Sequence, residues 1–367
     1  MKKSVWISMI VAGACILAGV ACMAVGHILG GHKILVEGAK NDHDMVTNTF
    51  TPVGEFDRIS VDIISANVRI HPTDTAECRV VTCDRAEMAY DVTVADGTLT
   101  ITVTDTRNWY DDLFTAYRRE STVTVYLPVD AYESLTVKTA SGDIEVDGAF
   151  TFTKDVIGST ASGSITVAAS AEGRTYVKTS GGSIHLSGNA GALTAYVGSG
   201  SVIADGITVL EETKLSSTSG RVELENATVG SLSAHVGSGN LKLEDLTVTD
   251  TLTADTVSGD LHFIRVTCVS LTAETPSGRI ELIDSVATGH ISVKTTSGAI
   301  RLERADAETL YLKTGSGSVK GSLRTPKVFY ADTTSGSVDV PKSTEGGLCE
   351  IKTVSGSIRI TIADTAE

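Results

Sequence analysis

Aromatic side chains are scarce in this 367-residue chain, at 5% of the total, and proline is scarcer, with six. Few large rings beside 35 glycines leave too little bulk for a helical or large mixed core. Positive charge is also short. Beyond residue 26 the chain holds 28 basic against 45 acidic residues, a net of −17. That balance argues against nucleic acid or anionic lipid as the main partner, because neither phosphate backbones nor headgroups are attracted to it. Cysteine supplies no redox or metal framework: outside the first 26 residues lie only Cys78, Cys83, Cys268 and Cys349, with no CxxC pair. Cys349 replaces the leucine of a repeat and is expected to pack inward as a small hydrophobe. No GxSxG, P-loop or HExxH is present, so the sequence calls for no cofactor and points away from an enzyme.

Charge is missing altogether from residues 5–26, VWISMIVAGACILAGVACMAVG. At about 1.5 Å per residue this run reaches roughly 33 Å, enough for one helix across a bilayer. Lys2 and Lys3 precede it, which puts residues 1–4 in the cytoplasm and everything after the anchor outside. The expected organisation is then a linker over 27–50, an N-terminal β region and cap over 51–130, a solenoid over 131–362 and a tail over 363–367. A cleaved signal peptide is the competing reading, since Ala21-Cys22-Met23-Ala24 offers small residues near the end of the run. Lipid attachment at Cys22 is a third, although Gly19 stands where a leucine is usual.

What the chain has in abundance is one phrase, Thr-x-Ser-Gly-x-Ile/Val/Leu-x-hydrophobic. Its glycines are Gly142, Gly163, Gly182, Gly200, Gly220, Gly239, Gly259, Gly278, Gly298, Gly317, Gly336 and Gly356. A fixed period of 18 to 21 residues means a solenoid, in which each coil buries its apolar face on the next. In Leu135 to Val146 the alternation Leu135, Val137, Thr139, then Ile144, Val146, describes two short strands meeting at a Ser141-Gly142 corner. The fold class expected is all-β, a single-stranded β-solenoid of about twelve to fourteen coils of 19–20 residues, on the order of 55 to 60 Å long. Stacked coils would put Ile144, Ile165, Ile184 and their successors, ending Val319, Val338, Ile358, in one buried column. Thr139, Thr160, Thr179 and later threonines would form a second, with hydroxyls bonding to neighbouring coils. A degenerate copy at 64–70 has Ala66 in place of glycine. Other strands expected in the N-terminal region are 58–70, 77–82, 90–94, 99–103 and 121–127.

Outward columns are where chemistry would show. Three residues after the glycine, from Gly220 onward, the column reads Glu223, Lys242, His262, Glu281, Arg301, Lys320, Asp339, Arg359, which fits charge pairing on a solvated face. Four residues before it, His235, Asp255 and Glu274 fall on successive coils ahead of Lys294 and Lys313. Those three are weak candidates for a divalent cation or for proton transfer. The plain alternative is a surface ladder in which Glu274 pairs with Lys294. Asp42-His43-Asp44 reads as solvated linker. The candidate binding residues are Trp109, Tyr110, Leu113 and Phe114, in a loop over 104–120, which either plugs the first coil or contacts a partner or membrane.

The Thr-x-Ser-Gly-x-Ile/Val copies behind a hydrophobic N-terminus resemble the DUF4097 adhesin family of bacteria, a toast-rack type β-solenoid, over about residues 50–362. The resemblance implies an envelope protein, adhesin-like by label, whose relatives often accompany membrane-stress or PadR-type regulatory systems. It supplies no catalytic residues. The function expected is a membrane-anchored extracytoplasmic rod that binds a protein or glycan partner at the envelope. The alternatives are a regulatory component of envelope stress or membrane signalling and, further off, a carbohydrate-active β-helix enzyme.

Overall fold

The computed structural model describes residues 45–105 and 120–363, and every element among them is a β-strand. Alternation sets each strand's two sides: in Ser134–Ser141 the buried residues are Leu135, Val137 and Thr139, with Thr136 and Lys138 outward. The Ser141-Gly142 corner redirects the chain into Ile144–Val146, which buries Ile144 and Val146. A further strand, Thr151–Phe152, follows before the chain returns to the first position one level on, at Val156–Ser162. Each regular turn is therefore three-sided. The first two faces match the two strands expected around each glycine. The third was not anticipated, because its strands are as short as two residues and carry no shared phrase.

Successive turns pair in parallel and in register. On the first face Leu135 faces Val156, then Thr175, Leu193 and Thr213; on the second Ile144 faces Ile165, then Ile184, Val202 and Val222. The third face runs from Ala131 to Asp306 through Thr151, Ser170, Val209, Val229 and Val248. About eleven turns make up the solenoid, fewer than the twelve to fourteen equal coils expected. The copies nearest the ends enter turns that lack the third strand. At about 4.8 Å per turn the regular body is roughly 50 Å long. Its interior is aliphatic: Ile144, Ile165, Ile184, Val222, Leu241, Ile300, Val319 and Ile358 are all 1% exposed or less.

Both ends depart from chain order. At the N-terminal end the outermost turn is Thr98–Asp105 with Thr122–Pro128, and the earlier strands Arg58–Ile63 and Asn67–Thr73 lie beneath it, against 134–146. Antiparallel strands Met88–Ala95, Arg79–Arg85 and Met45–Phe50 extend from that turn and cover its edges. At the C-terminal end, Lys327–Thr333 and Val338–Asp339 form the outermost turn, while the later strands Gly347–Thr353 and Ile358–Ile362 are inserted between it and turn 309–323. This corrects the expected column: Ile358 stacks directly on Val319, and Val338 lies beyond it, 45% exposed. The reason is apolar content. Cys349, Ile351, Ile358 and Ile360 fill the inward positions of the inserted turn and are fully buried, whereas Phe329 and Ala331 of the outermost turn are only partly covered.

The corner glycines answer to stacking more than to dihedral freedom. A Cβ on any of the twelve would lie 1.5–2.2 Å from a carbonyl oxygen of the adjoining turn, as Gly163 would from the oxygen of Gly142. The seven from Gly142 to Gly259 also have φ between 120° and 151°, which disfavours a side chain in its own right. Ala66 holds the same column in the degenerate copy, its oxygen 2.1 Å from where a Gly142 Cβ would be.

Candidate functional site

Buried hydroxyls fix the corner that carries the outward columns. Thr160 Oγ1 donates to the Gly142 oxygen at 3.1 Å, Thr179 to Gly163 at 2.8 Å, Thr314 to Gly298 at 2.8 Å and Thr353 to Gly317 at 3.1 Å. The threonine column therefore satisfies carbonyls that would otherwise be buried with fewer partners. Outside the corner, where the residue after the glycine is Asp, Asn or Ser, its side chain on several turns accepts from the next turn's backbone: Asp143 Oδ1 from Ser164 N at 2.7 Å, Ser164 Oγ from Ser183 N at 3.2 Å, Asp260 Oδ1 from Arg279 N at 2.7 Å. Both ladders tie turn to turn without using the columns three residues after and four residues before the glycine.

The column four before the glycine holds the weak candidates. His235 Nδ1 lies 2.5 Å from Asp255 Oδ2, and Lys294 Nζ donates to Glu274 Oε1 at 2.7 Å. Glu274 follows Asp255 in register but takes the lysine instead, and that bond raises the Lys294 pKa. Three ligands do not converge here, and among the described residues no group of three or more His, Cys, Asp or Glu could hold a metal ion. Three residues after the glycine, Lys242 sits between Glu225 at 2.7 Å and Glu244 at 2.6 Å, and His262 reaches Glu281 at 3.1 Å. Hydrogen bonds to the two glutamates hold the Lys242 pKa up, and bonds from Lys242 and then Arg265 hold that of Glu244 down.

A second corner, six residues after the glycine, went unrecognised in the sequence. Gly206, Asn226, Asp245, Arg265, Asp284 and Arg304 occupy it on successive turns, each with φ between 49° and 66°. Left-handed backbone costs a non-glycine residue about 1 kcal/mol. Charge and hydrogen bonding offset it. Arg265 Nε and Nη2 grip Asp245 at 2.5 and 2.7 Å, and Arg304 Nε bonds Asp284 at 2.6 Å. Those arginines push the Asp245 and Asp284 pKa values below the usual carboxylate range. Asn, Asp or Gly at a constant offset was the available signal, masked by the two arginines.

Cys78, Cys268 and Cys349 are buried free thiols, Cys83 is half-buried, and no disulfide joins described residues. Burial pushes the Cys78 and Cys349 thiols up to about 12 and Cys268 to about 11. Trp109, Tyr110, Leu113 and Phe114, like Asp42-His43-Asp44 and the run 5–26, lie outside the described residues. Among the described residues no helix is long and apolar enough to cross a membrane.

A rigid stack with uniform inward columns and variable, mostly paired outward charges defines a repeat protein of the parallel β-solenoid class. The chain belongs to the Toastrack DUF4097 family, whose model matches residues 56–282 and 265–367. Solved structures similar to it include a "putative adhesin" from Bacteroides fragilis NCTC 9343, at 14% identity and TM-score 0.26 over 86% of this chain and 97% of that one. Another is a "Putative lipid binding protein" from Parabacteroides distasonis ATCC 8503, at 14% identity and TM-score 0.34 over 85% and 98%. A "putative adhesin" from Parabacteroides merdae ATCC 43184 gives 10% identity and TM-score 0.36 over 76% and 97%. No curated protein matches the chain.

Proposed function

We propose that this protein is anchored in the bacterial cell membrane by residues 5–26, with its solenoid outside the cytoplasm, where it binds a protein or glycan partner in adhesin-like fashion and without catalysis. The observation that carries the reading is the division within each turn. Inward residues repeat, while outward residues change along a backbone braced by the threonine and Asx ladders. A surface already ordered loses little conformational freedom when it binds. The lysine-flanked apolar run supports the membrane address, and membership of the Toastrack family supports a repeat scaffold rather than a pocket enzyme. The carboxylates best placed for proton transfer, Asp255 and Glu274, are engaged by His235 and Lys294, which weighs against the glycan-cleaving alternative.

The test uses the full chain in bacteria, with alkaline phosphatase fused after Glu367, beside a chain lacking residues 5–26. Phosphatase activity in membranes that disappears with the deletion is the expected result; an inactive, cytosolic fusion would overturn the address. Envelope material recovered with the full chain should survive a Trp109→Ala, Phe114→Ala double substitution. Its loss, together with recovery of a membrane signalling protein, would favour the regulatory alternative instead.

A further inference from the structure

The inserted turn at the C-terminal end rearranges charge as well as core. In chain order the position four before the glycine reads Lys294, Lys313, Asp332, Lys352, and the position three after it reads Arg301, Lys320, Asp339, Arg359. In space Lys313 neighbours Lys352 and Lys320 neighbours Arg359, while Asp332 and Asp339 are displaced to the outermost turn. Three consecutive turns thus carry a cation on each side of one Ser-Gly corner. The result is two rails of three, each about 10 Å long at the usual strand spacing.

Like charges on adjoining strands repel, so a solenoid gains nothing in stability from this arrangement. The middle pair is the least compensated: among the described residues no ion pair involves Lys313 or Lys320, and both are exposed. Arg301 is held loosely, 3.8 Å from Glu281 and 3.9 Å from Glu303, and Arg359 lies 3.5 Å from Asp339. Lys294 and Lys352 each have one glutamate. A shallow cleft of about 310 Å³ opens between Arg301, Lys320 and Arg359. It lies where Gly321 takes an inward position and the strand register slips. The local balance is distinct as well. Residues 286–363 hold ten basic against seven acidic side chains, whereas the described residues before them hold thirteen against thirty-one.

We propose that these rails bind an extended acidic polysaccharide, laid along the corner with its carboxylates between Lys313 and Lys320 and their neighbours. The assignment rests on the binding-rod reading above and gives it a ligand class. A repeating polymer suits cations that recur once per turn. Exposed Ser316 and Ser355 on the corner offer hydroxyls to sugar hydroxyls. The acidic remainder of the rod repels a polyanion elsewhere, confining contact to this end. A nucleic-acid duplex would need a broader basic surface than two short rails flanked by Glu274, Glu303 and Glu350.

The experiment measures binding of a fluorescent oligogalacturonate to the full chain in detergent. A neutral glucan of equal length and inorganic polyphosphate of equal charge serve as comparisons. Lys313→Gln with Lys320→Gln, both outward, should weaken oligogalacturonate binding about tenfold and flatten its salt dependence by about two counterions. Lys138→Gln with Lys178→Gln, on the same face at the other end, should leave it unchanged. Equal binding by the Lys313/Lys320 variant, equal binding of the neutral glucan, or tighter binding of polyphosphate would each overturn the assignment. If the phosphatase fusion is exported and envelope material is recovered but oligogalacturonate is not bound, the rails fail and the rod reading stands. If oligogalacturonate binds through the rails but the fusion is cytosolic, the address fails instead.

Discussion

Lys327 opens the outermost turn, yet its ammonium lies 2.7 Å from Asp306 on the regular body, and both residues are buried. The intervening segment leaves room because it is Gly346-Gly347: a Cβ on Gly347 would lie 1.7 Å from the Glu308 oxygen. The pair therefore bolts the last turn over the inserted one. Replacing Lys327 by Met keeps the stem but leaves the Asp306 carboxylate with only the Ala307 N–H, at 2.8 Å, among its recorded partners. Removing one member of a buried pair costs about 3–5 kcal/mol; the retained hydrogen bond puts this case near about 3. In a stacked array that loss falls on the adjacent turns, so their opening should rise by roughly a hundredfold. Hydrogen exchange read by mass spectrometry should show peptides within 347–362 losing protection while those within 213–243 keep it. Adding Asp306→Asn should restore most of the difference. Unchanged protection in Lys327→Met, or no recovery in the double variant, would refute the bolt.

Three further outcomes follow from the corners, the charges and the thiols. Gly182→Ala puts a Cβ 2.2 Å from the Gly163 oxygen and should lower the melting temperature by several degrees, while Gly181→Ala, whose nearest atom is 4.0 Å away, should leave it within a degree or so. Because Glu244, Asp245 and Asp284 have lowered pKa values, the stability they contribute is fully present above the ordinary carboxylate range and is lost as pH falls through the lowered values. The melting temperature should thus drop below about pH 4, less steeply in an Arg265→Gln, Arg304→Gln variant; equal acid limbs would contradict the pairing. Among the four thiols in the described residues, a thiol probe at neutral pH should label Cys83 first and reach Cys78, Cys268 and Cys349 only in denaturant, as peptide mapping would reveal.

Most of the solenoid was legible because the phrase around each glycine is a direct record of stacking. The alternation of Leu135, Val137 and Thr139, then Ile144 and Val146, names inward residues, and these are buried. The third face was not legible, since Thr151–Phe152 and its counterparts need only a short extended backbone, and differences in repeat length are absorbed around them. Nor was the order of the last turns. Repeats that read alike do not encode which of two sits inside, and the choice follows from filling the core with Ile351, Ile358 and Ile360 rather than Ala331 and Val338. That exchange is also why the basic rails were hidden: in chain order Asp332 and Asp339 interrupt them. The net charge from which polyanions were set aside is an average, and it conceals the basic excess of residues 286–363.

The most direct test of a binding role is crosslinking on intact bacteria that produce the full chain. It would be run beside a variant in which outward residues of several turns are changed to serine and the inward columns kept. Recovery of one protein or glycan species by the native chain, lost in the variant while its melting temperature is retained, is the expected result. Equal recovery by both chains, or release of cleaved glycan, would contradict a non-catalytic rod that binds through its outer face.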